Sequence, residues 1–169
     1  MNKSLSHKIK QFIKAPLRYR TRRGFGVHSP FAYKYIMDVW SERWHYYAYS
    51  EITDKYCRLI FRTLNYLKPR TIMLYGTDNA IRRVVELGAP QSVVTSCNTE
   101  CYIIQGRMPD LSFAEKTESK ANFAVIRVQT DDEEILFKDV SYGMSFGNSK
   151  IRIYIMLRKL PRQDFNVWL

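Results

Sequence analysis

Thr71-Ile72-Met73-Leu74-Tyr75-Gly76-Thr77-Asp78-Asn79-Ala80 decides the fold. Five residues that are mostly apolar end at a glycine, the pattern of a short buried strand running into a turn. Thr77 or Asp78 can then cap a helix over Ala80–Leu87, which Gly88 and Pro90 close. Upstream, Tyr56, Leu59, Ile60, Leu64 and Leu67 form the buried stripe of a helix over Thr53–Leu67, stopped by Lys68-Pro69. Downstream, Ser92–Ser96 reads as a second strand, Asn122–Val128 as a third and Asp131–Phe137 as a helix. Ile151–Leu157 and Asp164–Leu169 read as two closing strands joined by Arg158–Gln163. Strand, helix and strand in this order imply an open α/β sheet.

The region before the sheet is helical in character. Ser29-Pro30 is a helix cap followed by proline in the first turn, and Phe31, Tyr35, Ile36 and Val39 share one face of a helix reaching about Trp40. Trp44–Tyr49 is too aromatic for a plain linker; it is expected to pack across another surface, the alternative being a binding wall. Leu5, Ile9, Phe12, Ile13 and Leu17 fall at helical spacing with lysines between them, and Pro16 ends or kinks that segment. The chain thus divides into a basic helical segment over 1–28, a helical lead-in over 29–69 and a sheet core over 70–169.

Charge is placed unevenly. Lys3, Lys8, Lys10, Lys14, Arg18, Arg20, Arg22, Arg23 and Lys34 all precede the first acid, Asp38, in a chain of net charge +11. A polyanionic partner, whether an anionic membrane surface or nucleic acid, would meet Lys3–Arg23 first. No run approaches the ~20 apolar residues that span a bilayer, and the basic start lacks the apolar core of a signal peptide. Three cysteines, Cys57, Cys97 and Cys101, suit a reducing cytoplasm. Cys97 and Cys101 have no further ligands to complete a closed zinc site and read as buried thiols. The acidic run Asp131–Glu134 reads as a first helical turn rather than a metal site.

Two patches and the stretch between them carry a family resemblance. Gly24-Phe25-Gly26-Val27-His28-Ser29-Pro30-Phe31 resembles the Gly-x-His-Ser-Pro-Phe segment near the start of a bacterial class I S-adenosylmethionine-dependent methyltransferase-like family. Arg158–Leu169 is similar to that family's closing strand, which follows a Leu-Pro-Lys-Gln type turn, and Leu59–Ile72 resembles the helix and strand leading into its cofactor loop. The stretch from Glu100 to Gly147 matches poorly and looks shortened. The resemblance implies a reduced Rossmann-like α/β domain, mostly parallel, with S-adenosylmethionine at the carboxyl ends of the strands.

That resemblance also says where the cofactor would be held. Gly76, Thr77, Asp78 and Asn79 form the turn after the first strand, but Leu74 stands at the family's acidic position and Ala80 at that of a later glycine. Cys97 stands where the ribose-binding acid would be, and Arg127 where an acid would end a later strand. A thiol or a guanidinium cannot accept a hydrogen bond as a carboxylate does. Asp78 and Glu100 are near enough in sequence to substitute. Arg127 would bind a substrate carboxylate or phosphate, or else end its strand in solvent. His28 is the candidate general base, with a structural role at the Ser29-Pro30 helix start as the alternative. The implied activity is methyl transfer to an oxygen or nitrogen nucleophile of a small molecule, weakened or lost. A non-enzymatic scaffold working through Lys3–Arg23 is the rival reading.

Overall fold

The computed structural model describes residues 24, 26–96, 99–106, 122–128, 141–148, 150–167 and 169. Helix α1 spans Pro30–Tyr35 and continues as a π-type turn over Ile36–Trp40, where the Ser41 N–H reaches back to the Ile36 carbonyl at 2.8 Å. A 3-10 turn covers Tyr47–Ser50, and α2 spans Lys55–Leu67. Then follow β1 (Thr71–Tyr75), α3 (Asn79–Gly88), β2 (Val93–Val94), β3 (Cys101–Gln105), β4 (Asn122–Val128), β5 (Met144–Gly147), β6 (Ile151–Leu157) and β7 (Gln163–Asn166).

Each helix starts where a side chain can satisfy free backbone donors. Ser29 Oγ accepts from the Ala32 N–H at 3.3 Å, and Asp54 Oδ1 accepts from the Tyr56 and Cys57 N–H groups at 2.8 and 3.0 Å. Asp78 Oδ1 accepts from the Ile81 N–H at 2.9 Å. Helix α2 ends on Lys68, whose φ of 47° is left-handed, and Pro69 after it cannot continue a helix.

The seven strands form one mixed sheet in the order β2-β1-β3-β4-β6-β5-β7. β1 pairs in parallel with β2 and β3, and β3 with β4; β6 is antiparallel to β4 and β5, and β7 is parallel to β5. Every strand but β6 therefore points the same way. β3, β4 and β6 are buried on both faces, which is why they are near-continuous apolar runs instead of alternating ones. On one face Ile103, Ile126, Ile153 and Ile155 meet Tyr35, Ile36, Trp40, Leu59, Ile60 and Val84 of the helices. On the other, Tyr102, Ile104, Phe123, Val125, Tyr154 and Met156 form a second buried cluster.

The aromatic stretch divides between packing and exposure. Tyr46 and Tyr49 lie against Phe61 of α2, with ring centroids 5.2 and 5.8 Å away. Trp44 and Tyr47 instead point outward, at 76% and 102% relative exposure. Two strands lie outside the sequence expectations: β3, and β5 with its Ser145 and Gly147. The expected strand over Ser92–Ser96 is only Val93–Val94. The helices anticipated around Leu5–Leu17 and Asp131–Phe137 lie outside the described residues.

Candidate functional site at the carboxyl ends of β1 and β3

From β1 the chain winds to β2 on one side, then returns across β1 to β3 on the other. In open α/β sheets such a reversal leaves a crevice at the carboxyl ends of the strands. Here that edge is formed by Gly76 after β1 and Gly106 after β3, both left-handed, with φ of 60° and 77°. The requirement for glycine is strict at residue 76. A Cβ there would stand 2.7 Å from the Gln105 carbonyl oxygen, closer than any real contact, so the two backbones touch.

A reciprocal pair locks this approach. The Asp78 N–H donates to Gln105 Oε1 at 2.9 Å, and Gln105 Nε2 donates back to Asp78 Oδ2 at 3.0 Å. Asp78 thus caps α3 with one carboxylate oxygen and holds the end of β3 with the other. The Gln105 amide, followed by the Ile81 N–H, holds the Asp78 carboxyl below its usual range. Beside it the Thr77 hydroxyl is enclosed and makes no hydrogen bond among the described residues. Asn79 is the exposed first residue of α3.

Sequence reasoning placed further residues at this site, and the fold disperses them. Glu100 immediately precedes β3, so it lies at the amino ends of the strands, the edge opposite Gly76. There its carboxylate accepts from the Arg70 N–H at 2.7 Å and its N–H reaches Thr71 Oγ1 at 3.0 Å. It cannot replace a ribose-binding acid, because the unrecognised strand β3 carries the chain away from Glu100 before the crevice is reached. His28 is exposed, and its neighbour Ser29 contacts the Met144 sulfur at 3.9 Å, at the start of β5. β5 stands four strands from β1, about 19 Å at the usual strand spacing. His28 therefore does not converge with the Gly76 turn. Cys97 and Lys3–Arg23 lie outside the described residues, as does Asp131–Glu134.

The resemblance would set Leu74 and Arg127 at acidic positions. Leu74 packs against the helix-covered core. Arg127 is not a solvated strand end: it is 2% exposed, on the second face of β4, level with Ile104 and Arg152. Cys101 is fully buried, and burial pushes its thiol up to about 12. Among the described residues, no group of three or more His, Cys, Asp or Glu could hold a metal ion, and no helix is long and apolar enough to cross a membrane. Gln105 and Gly106 were missed because their strand was; the apolar run Cys101–Ile104 ending before a glycine was the available signal.

No protein-family model, curated protein or solved structure matches the chain.

Proposed function

We propose that this chain is a Rossmann-like, class I methyltransferase-like domain that keeps the ligand-binding edge of its sheet but has lost the grip on S-adenosylmethionine, and with it efficient methyl transfer. The reversal of winding at β1 and the paired left-handed glycines 76 and 106 support a sheet edge once shaped for a nucleoside. The enclosed Thr77 hydroxyl, without a partner among the described residues, adds one polar group to this edge.

The observation that carries the loss is the Asp78–Gln105 pair. Among the described residues at this edge the acid is Asp78, and it already serves a helix cap and a cross-strand clamp. Leu74 and Arg127 cannot accept a hydrogen bond from a ribose hydroxyl or an ammonium, and Glu100 sits at the other edge. The described residues at this edge do not fit the cofactor, and no catalytic step is derived through it. Equilibrium dialysis against methyl-labelled S-adenosylmethionine tests the reading. Retention is expected only at millimolar ligand, with no label passed to small-molecule oxygen or nitrogen acceptors. Micromolar retention with turnover would reinstate an active methyltransferase.

A further inference from the structure

A different feature lies at the amino-terminal edge of the sheet. Ser141, Tyr142, Arg158, Lys159, Leu160 and Pro161 line an open depression of about 620 Å³. Leu157, which ends β6, pairs with Asn122 at the start of β4, so this depression is on the edge opposite Gly76. Its frame is fixed by the backbone. The Gly143 N–H donates to the Leu160 carbonyl at 3.0 Å, the Gln163 N–H to the Gly143 carbonyl at 3.2 Å, and Tyr142 bridges to Pro161. Gly143, at φ 92°, brings that frame against Met156, where a Cβ would lie 2.9 Å from the sulfur.

The lining is chemically one-sided. Among the described residues it contains two cations and two hydroxyl groups and no carboxylate. Arg158 and Lys159 are both exposed at the β6–β7 turn, and among the described residues neither enters an ion pair. Two adjacent cations disfavour each other, and an anion between them removes that repulsion. A guanidinium fork and an ammonium beside hydroxyl donors match a tetrahedral dianion, and Leu160 and Pro161 offer a wall for a short carbon chain.

We propose that this depression binds the phosphate monoester group of a small molecule, held by Arg158 and Lys159. The proposal is independent of the methyltransferase-like reading, which concerns the other edge. The test is a titration of the isotope-labelled full chain with glycerol 3-phosphate, followed by nuclear magnetic resonance at constant ionic strength. The expected result is saturable shifting of the Tyr142, Arg158, Lys159 and Leu160 amide signals. The doubly substituted R158Q/K159Q should weaken binding by about a hundredfold, roughly tenfold for each charge-assisted hydrogen bond removed. K68Q, which removes a cation elsewhere, should bind as the parent does. A parallel arm uses vesicles of neutral lipid with and without phosphatidic acid. Capture by phosphatidic acid alone, abolished in R158Q/K159Q, would assign the same phosphate chemistry to a lipid headgroup. Non-saturating shifts with no vesicle capture, or equal affinity in parent and R158Q/K159Q, would overturn the proposal. Both substitutions lie in an exposed turn, so folding is not at stake.

Discussion

Replacing Gly76 with alanine probes the backbone contact between the turn after β1 and the end of β3. Residue 76 has φ 60°, and its Cβ would be 2.7 Å from the Gln105 carbonyl oxygen. The left-handed conformation alone costs a non-glycine residue about 1–2 kcal/mol. Forcing a methyl group against a backbone carbonyl adds about 1–3 kcal/mol, because the strand end or the turn must move. Gly106 is the internal control, with nearly the same φ of 77° and nothing within 4 Å of its Cβ. Gly106→Ala should therefore show only the conformational cost. In urea unfolding, with a slope of about 2 kcal/mol per molar, Gly76→Ala should lower the midpoint by about 1–2.5 M and Gly106→Ala by about 0.5–1 M. Equal midpoints for the two variants would refute the reasoning, since the turn would then not be packed on the end of β3.

Asp78→Ala removes the α3 cap and should cost about 1 kcal/mol. The folded Asp78 carboxyl titrates below its unfolded value, so its stabilisation is present above about pH 4 and disappears as pH falls through the folded value; the parent and Asp78→Ala urea midpoints should converge in acid. Tyr35 Oη and Thr63 Oγ1 are buried 3.0 Å apart, and Thr63 also donates to the Leu59 carbonyl at 2.8 Å. Tyr35→Phe should thus cost only about 1 kcal/mol, whereas Tyr35→Ala should cost about 3–5 kcal/mol by opening a cavity, both read by thermal denaturation. The Cys101 thiol, fully buried and pushed up to about 12, should resist a disulfide reagent until the chain unfolds; rapid labelling in native conditions would contradict its burial.

Local chemistry was legible in the sequence; long-range placement was not. The caps Ser29 and Asp78, the stop at Lys68-Pro69 and the strands β1, β4 and β6 all announce themselves through short-range signals. Each depends on neighbours within a turn or on a continuous apolar run. β3 escaped because a four-residue apolar run beginning at a cysteine reads equally well as a thiol-bearing loop. That omission moved Glu100 to the wrong edge of the sheet. The separation of His28 from Gly76 is a property of strand order, which no local pattern encodes. The burial of Arg127 was hidden for a related reason: its flanking strands, β3 and β6, are distant in sequence or were not recognised.

The most direct test of the lost grip is calorimetric titration of the full chain with S-adenosylhomocysteine, alongside Gln105→Ala, which releases the clamp on Asp78. The account predicts no saturable heat at sub-millimolar ligand for the parent chain, and at most weak binding once the clamp is gone. A micromolar dissociation constant for the parent chain, abolished by Asp78→Ala, would contradict it.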